Sequence, residues 1–370
     1  MDRSFLRLYA IHFFFTVSHI FGWTLSSLYF VKIGYTFMDV ALYFALSFIT
    51  SVLVIIAAKH FRSDRSMQIG LIFKILLFFV AAYAFVKPLI FAVAIIQGIV
   101  MVSYGVTMNF QFFKFRGEGK NASHSGLFFI LWPVFGALLP ALAGLSAEKY
   151  GMGFVFFIGA LLLVPALVIS LWLKKSDMIP SDFKAFVKNT KGLKTIVFIQ
   201  GVWEGIDWVV VPLVTLTFVS KEFEFGAFYS YLGVFGIAAF FALGRMSDRM
   251  KKRAIFIYPI TIAIAAFTIL SGLSSTFLAW GIYRGFVSFL LSLFSPFSMT
   301  LIVDLTKNMG DSMISRGFFL NFGRALGAVI VVLMLYFSFD IKHALIVSGA
   351  ILLLHPLYLR EKKKGYQVDV

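Results

Sequence analysis

The chain has 370 residues, of which 60% are hydrophobic and only 14% are charged. Soluble globular proteins carry about a quarter charged residues, so this composition excludes a soluble protein and indicates an integral membrane protein. The formal net charge is +16 and the chain has no cysteine, which excludes disulfides and cysteine metal sites.

Twelve apolar runs each have about the 20 residues that a helix needs to cross a bilayer. In chain order they are 8–31, 36–58, 67–86, 88–112, 124–146, 152–173, 195–218, 226–246, 254–273, 276–303, 315–338 and 342–359. Helices are predicted for all of them, because a lone strand in lipid leaves its backbone polar groups unpaired. The sequence therefore predicts an all-α integral membrane protein with twelve transmembrane helices.

The number of basic residues alternates between high and low from one connection to the next. The two ends of the chain and every second connection hold 25 of the 33 Lys and Arg residues, and the opposite connections hold 5. Because basic loops stay on the cytoplasmic side, both termini are predicted to be cytoplasmic, in a protein of the cytoplasmic (plasma) membrane. The basic excess thus reflects membrane orientation, and no nucleic-acid partner is expected.

The longest polar connection, 176–193, separates six predicted spans in 1–175 from six in 194–370. Three short matches recur across it in the same order. They are Asp64-Arg65 with Asp248-Arg249, Gln97-Gly98 with Arg284-Gly285, and Gly126-Leu-Phe128 with Gly317-Phe-Phe319. Such ordered self-similarity predicts two pseudo-symmetric six-helix halves joined by a cytoplasmic linker.

A patterned loop follows the eighth run: Gly244, three residues, Asp248-Arg249, and the basic pair Lys252-Arg253. It resembles the signature between the second and third helices of each half of a major facilitator superfamily transporter, with Lys251 replacing the family's second Gly. Together with the repeat, the resemblance covers the whole chain. We expect a monomer that binds membrane lipids and a small-molecule substrate and has no cofactor or metal.

The resemblance implies a gating role for Gly244, Asp248 and Arg249, and for the degraded first-half copy, Asp64 and Arg65. In the family these loops help to close the cytoplasmic side, and the Asp faces the positive end of a helix in the other half. Asp248 would then lie near 123–125 at the start of the fifth span. Asp64 would lie near 312–316 at the start of the eleventh.

The seventh run carries two carboxylates, Glu204 and Asp207, on one broad helical face with Gln200, Trp203 and Trp208. An ionisable group inside a span is a functional candidate because its burial is costly. By the resemblance, this face borders the substrate path. Two neighbouring carboxylates in a low dielectric disfavour simultaneous ionisation, so one is expected to carry a proton. The other interpretation is that both are permanently paired with arginines.

Arg284 in the tenth span and Arg324 in the eleventh are those arginines, serving either as holders of an anionic substrate or as counter-charges. In the first half, His19 lies near mid-span and can titrate near neutrality. Gln97 resembles the end of the family's proton-antiporter signature, although Ala94 stands where that signature has Arg. Lys74 is assigned to a peripheral helix, reaching for a headgroup.

The predicted function is a secondary active transporter that moves a small solute by alternating access, coupled to protons or another cation. Two alternatives stay open: an efflux antiporter for multiple drugs or lipophilic compounds, and a lipid-handling or non-transporting scaffold. An enzyme is not expected, because the six His residues are scattered and no nucleophile stands with a base.

Overall fold

The computed structural model describes residues 3–58, 60–114, 122–173, 178–180, 193–247, 253–304 and 309–363. Along these residues run twelve helical segments, numbered α1 to α12. They are α1 Arg3–Trp23 continued by Ser26–Lys32, α2 Phe37–Ala57, α3 Ser63–Ala82, α4 Leu89–Val100 continued by a π-helical turn Met101–Val106 and by Thr107–Lys114, α5 Ala122–Tyr150, α6 Met152–Ser170, α7 Leu193–Phe218, α8 Glu222–Ser247, α9 Arg253–Gly272, α10 Phe277–Asp304, α11 Met309–Tyr336, and α12 His343–Leu352 continued by Leu354–Lys363.

Ten of these segments are long and apolar enough to cross a membrane among the described residues. The apolar parts of α9 and α12 are shorter, Ile257–Gly272 and His343–Tyr358. The predicted all-α membrane fold is confirmed. Helices extend past several predicted runs: α5 continues to Tyr150 and α8 begins at Glu222. An apolar run marks only the hydrocarbon part of a helix, whereas the helix itself continues among polar residues.

The start of α3 also differs from the prediction. Asp64 and Arg65, expected in a loop, form its first turn, and Asp64 is buried. A carboxylate in the first turn of a helix is favoured by the free backbone N–H groups there. The Arg62 side chain donates to Asp64 Oδ2 at 2.7 Å, and this contact raises the pKa of Arg62 further above its usual range.

One short β-pair was not predicted. Strand β1, His60–Arg62, pairs antiparallel with strand β2, Met178–Pro180, so that Phe61 lies opposite Ile179. β1 connects α2 to α3, and β2 belongs to the connection between α6 and α7. The central connection is therefore attached by backbone hydrogen bonds to the first half of the chain.

The helices of the two halves make equivalent contacts. In the first half, α1 packs on α5 and α6, α3 packs on α4 and α6, and α2 packs on α4. In the second half, α7 packs on α11 and α12, α9 packs on α10 and α12, and α8 packs on α10. Adding six to each helix number converts one set into the other, which is the predicted pseudo-symmetry. The linker bounds 176–193 stay a prediction.

Two helix pairs make the most extensive contacts between the halves: α5 with α8 and α2 with α11. These pairs are also related by the pseudo-symmetry. Along α5 and α8 the backbones approach closely at small residues, with Gly233 against Gly136 and Gly226 against Pro140. Small residues allow such approach between helices in a membrane.

Candidate functional site

A central cavity of about 620 Å³ lies between the halves. Its walls come from α1, α2, α4 and α5 on one side and from α7, α8, α10 and α11 on the other. Among the described residues, none on α3, α6, α9 or α12 lines it. Six of the predicted site residues do line it: His19, Gln97, Asp207, Trp208, Arg284 and Arg324. The others on α7, namely Gln200, Trp203 and Glu204, do not line it.

Asp207 and Arg284 form a two-pronged ion pair between α7 and α10. Arg284 Nη1 donates to Asp207 Oδ1 at 2.7 Å, and Nη2 donates to Oδ2 at 2.8 Å. The exposed fractions are only 7% and 4%, so water does little to screen the attraction. Parallel bonds from a guanidinium to a carboxylate are charge-assisted and fix the geometry of both groups.

Glu204 and Arg324 form a second pair between α7 and α11. Arg324 Nε donates to Glu204 Oε2 at 2.8 Å, and Nη2 donates to the same oxygen. The other carboxylate oxygen accepts from Gln200 Nε2 at 2.8 Å. The guanidinium also lies 4.4 Å from the centre of the Trp208 ring, a cation–π contact at the cavity wall.

The two ion pairs determine which side chains of α7 reach the cavity and which charges are compensated there. Each carboxylate has its own arginine, so in this conformation the four charges cancel and neither arginine is free to hold an anion. Both carboxylates are thus paired with arginines in this conformation. Glu204 and Gln200 turn towards α10 and α11 rather than into the cavity, because the predicted face is broader than the strip of α7 that lines it.

Two tryptophans serve the packing of the second half. Trp203 Nε1 donates to Thr268 Oγ1 on α9, and Trp280 Nε1 donates to Thr215 Oγ1 on α7, both at 3.2 Å. Both rings are almost completely buried. Trp203, a predicted site residue, therefore connects α7 to α9, and Trp208 is the α7 tryptophan at the cavity.

The first-half wall is polar and aromatic. His19 stacks on Phe15 and meets the Trp132 ring edge-on at 5.4 Å between centroids. Its Nδ1 has no hydrogen-bond partner among the described residues. Gln97 lines the same cavity from α4, with 9% of its surface exposed.

The prediction for Lys74 is wrong. Its side chain is completely buried instead of reaching for a headgroup. Nζ donates to Gln97 Oε1 at 3.5 Å and lies 4.5 Å from the centre of the Trp23 ring and 5.0 Å from that of Phe78. α3 is peripheral, but this position of α3 faces α1 and α4, and a lysine stem is long enough to reach the residues behind the cavity wall.

Arg316 is a further cation, which the sequence analysis did not name as a site residue. It lies within α11, and its Nε is buried without a hydrogen-bond partner among the described residues. Glu204 and Arg324 interact with it electrostatically. The sequence could have indicated Arg316 by its position, which is two helical turns before Arg324 on the same helix.

The gating residues are described only in part. Gly244 lies in α8, whereas Asp248 and Arg249 lie outside the described residues. The expected positions of Asp248 and Asp64 against the starts of α5 and α11 stay predictions. In the part of the chain that the structure describes, no three His, Asp or Glu side chains gather into a group that could hold a metal ion.

Residues 4–328 match the sequence family described as the Major Facilitator Superfamily. The chain belongs to the Major Facilitator Superfamily. It is accordingly a multi-pass membrane protein of a superfamily of transporters, and the eight helices that line the cavity are the ones that the six-plus-six architecture brings to the centre. No curated protein matches the chain.

Solved structures of transporters share this fold over nearly the whole chain. The human organic anion transporter MFSD10 (TETRAN) has a TM-score of 0.70 and 12% identity, covering 97% of this chain and 100% of that one. A POT family transporter in complex with a thioalcohol-conjugated peptide has a TM-score of 0.74 and 12% identity, covering 98% of this chain and 96% of that one. A POT family transporter in complex with 5-aminolevulinic acid has a TM-score of 0.71 and 12% identity, covering 99% of this chain and 97% of that one. At this identity the likeness establishes the fold of a Major Facilitator Superfamily protein alone.

Proposed function

We propose that this protein is a secondary active transporter that moves a small solute across the cytoplasmic membrane by alternating access. The observation that carries the proposal is the central cavity, which is bordered by both halves and contains charged and aromatic side chains at mid-depth. Residues 1–175 and 194–370 would rock against each other around this cavity, as inverted-repeat and two-half transporters do. The protein would act as a monomer with both termini in the cytoplasm.

The lining of the cavity extends towards the end of the bundle where the termini lie. Its lining continues along α4 to Asn109, and α4 ends beside the start of α1, where the Phe112 and Phe5 rings are 6.4 Å apart. At the opposite end, Lys32 Nζ on α1 lies 2.6 Å from Glu222 Oε1 on α8. The backbone N–H of Phe223 also donates to Glu148 Oε1 on α5 at 3.0 Å. These contacts would close the other side.

The two ion pairs support the proposal of proton coupling. A proton that binds the carboxylate of Asp207 or Glu204 neutralises it and releases the guanidinium of Arg284 or Arg324 towards the cavity. The released arginine would bind the solute or rearrange the helix contacts, and loss of the proton would restore the pair. Glu204 and Asp207 are thus proposed as the proton sites, with the arginines as counter-charge groups.

The experiment begins with ligand discovery. The purified protein is heated in the presence of sugars, organic anions, amino acids and lipophilic cations at two pH values, because a ligand of the folded state raises its apparent stability. A compound that stabilises it is then tested for uptake into proteoliposomes driven by a pH gradient.

In this assay the double variant Glu204→Gln/Asp207→Asn is expected to lose uptake driven by the pH gradient, since neither amide side chain can bind and release a proton. Solute exchange without a gradient should persist. Unaltered gradient-driven flux in the double variant would contradict the coupling role of these residues. Binding of lipophilic cations alone would instead favour the efflux antiporter.

A further inference from the structure

Lys74 lacks a carboxylate partner among the described residues of the membrane region. The helices that pack around it, α1, α4 and α6, contain no Asp or Glu. On α3 itself the nearest acidic residue is Asp64, ten residues earlier and therefore about 15 Å away along the helix axis. The titratable group that interacts with Lys74 from α1 is His19. At mid-depth the first half thus has a basic side chain without the compensation that Arg284 and Arg324 receive in the second half.

The contact with Lys74 fixes the orientation of Gln97. A lysine side chain in contact with an amide carbonyl donates to it, so Gln97 must present Oε1 to Nζ. The amide group is planar, and its Nε2 is then the end that remains for the cavity, which Gln97 lines. Nε2 donates to no side chain or carbonyl in the described part of the chain. The cavity wall therefore carries a hydrogen-bond donor with the buried amine of Lys74 directly behind it.

We infer that Gln97, positioned by Lys74, is the subsite that binds an anionic oxygen group of the transported solute, such as a carboxylate. The inference rests on the proposed transport function and adds the chemical class of its substrate. An anion at Gln97 Nε2 would accept a hydrogen bond and supply a counter-charge that favours the protonated form of Lys74. Between the helices, where the effective dielectric constant is lower than in water, both contributions are stronger than at a surface. Trp23 and His19 would form the aromatic sides of the subsite.

The opposite wall does not offer an equivalent subsite in this conformation. Arg284 and Arg324 are each held by a carboxylate, and Asp207 would repel an anion that approached the α7 side. A solute with one anionic group and an apolar or aromatic body would therefore place its charge at Gln97. Its body would lie along Trp132 and Trp208, which also line the cavity.

The test compares matched acids and amides. Phenylacetate, indole-3-acetate and 1-naphthoate, each beside its carboxamide, are added to the purified full-length protein, and thermal stabilisation is measured over a concentration series. The acids are expected to stabilise the protein and the carboxamides to do so far less. Lys74→Met and Gln97→Glu should each raise the apparent Kd of the acids by roughly tenfold to a hundredfold, as for loss of a hydrogen bond to a charged group.

Two controls separate this role from a structural one. Lys87→Met removes an exposed lysine beyond the end of α3 and should leave the stabilisation by acids unchanged. Gln97→Glu keeps the contact with Lys74, so it should fold even where Lys74→Met does not, yet it replaces the donor with a carboxylate.

Several outcomes would overturn the inference. Equal stabilisation by acids in wild type and Gln97→Glu would place the anion elsewhere, while leaving solute transport itself intact. Preference for carboxamides, or no response to any of the six compounds, would exclude this anion subsite. Transport would in that case still be judged by its own uptake assay.

Discussion

The guanidinium group of Arg284 contacts both oxygens of Asp207 at the cavity wall, and Arg324 contacts Glu204 on the next turn of α7. All four groups are largely removed from water. A charge in such a position cannot lose its partner without a large penalty, because the remaining ion is neither solvated nor neutralised. The pairs therefore hold α10 and α11 against α7 in this conformation.

Arg284→Leu is expected to destabilise the folded protein by about 3–5 kcal/mol, since it leaves the Asp207 carboxylate buried and unpaired. Asp207→Leu in the same chain should recover most of that loss, because two apolar side chains replace the whole pair. The measurement is thermal or denaturant unfolding of the detergent-purified variants. Lys221→Met, which breaks an exposed contact with Glu224 of 3.7 Å, is the control and should cost at most about 1 kcal/mol. Additive losses in the Arg284/Asp207 double variant would contradict a coupled pair.

All four charged residues were predicted from the sequence, because charges inside apolar runs are conspicuous. Pairing with arginines was one of two interpretations, but which carboxylate meets which arginine was not predicted, because that depends on how α10 and α11 are rotated around α7, and no local pattern specifies rotation. Lys74 was misplaced for a related reason. The family resemblance assigns a whole helix to the periphery, but each helix also has an inward face, and only the packing identifies which residues lie on it.

At the scale of elements, the close contact of α7 with α11 makes the Glu204–Arg324 pair possible. Gly205 packs directly on the backbone of Arg324, and Gly201 packs on the backbone of Leu320. On the other helix, Gly327 packs against Ile206. Helices that meet at glycines come close enough for short-range backbone contact, which brings the Arg324 side chain within reach of the carboxylate on α7.

Gly205→Ala is expected to separate α7 from α11, because a Cβ at this position would overlap the Arg324 backbone. Overpacking of this kind costs roughly 1–3 kcal/mol, and the melting temperature should fall accordingly. Gly281→Ala is the matched control: this helical glycine on α10 has open space where the added methyl group would lie, so the change should be neutral or slightly stabilising. Equal melting temperatures for the two variants would refute close packing at Gly205.

The existence and order of the helices were predictable, since each span needs an apolar run. The residues at which the helices begin and end were less predictable. The β1–β2 pair and the first turn of α3 lie in polar sequence where hydropathy gives no signal, and both arise from local hydrogen bonding. The break between Trp23 and Ser26 and the π-helical turn Met101–Val106 lie inside apolar runs, which continue through them unchanged.

For the whole molecule, alternating access requires that the halves exchange between two arrangements around the cavity. The contact of α5 with α8 should open when the contacts around Asn109 close. Ser230 on α8 lies at the contact with α5, because its Oγ accepts from the Ala141 N–H of α5 at 3.0 Å and the side chain is buried. Its accessibility therefore indicates whether that contact is open. Asn109 lines the cavity towards the end where the termini lie.

The most direct test uses the absence of native cysteine, which allows single-cysteine labelling without background. Ser230→Cys and Asn109→Cys are labelled separately in oriented proteoliposomes with a membrane-impermeant maleimide. Each is tested with and without Glu222→Gln, which breaks the Lys32–Glu222 ion pair. That pair is partly exposed, so its loss should change the populations by about fivefold at most. We expect faster labelling of Ser230→Cys and slower labelling of Asn109→Cys, from opposite sides of the membrane. Rates that rise together, or access to both positions from one side, would contradict alternating access.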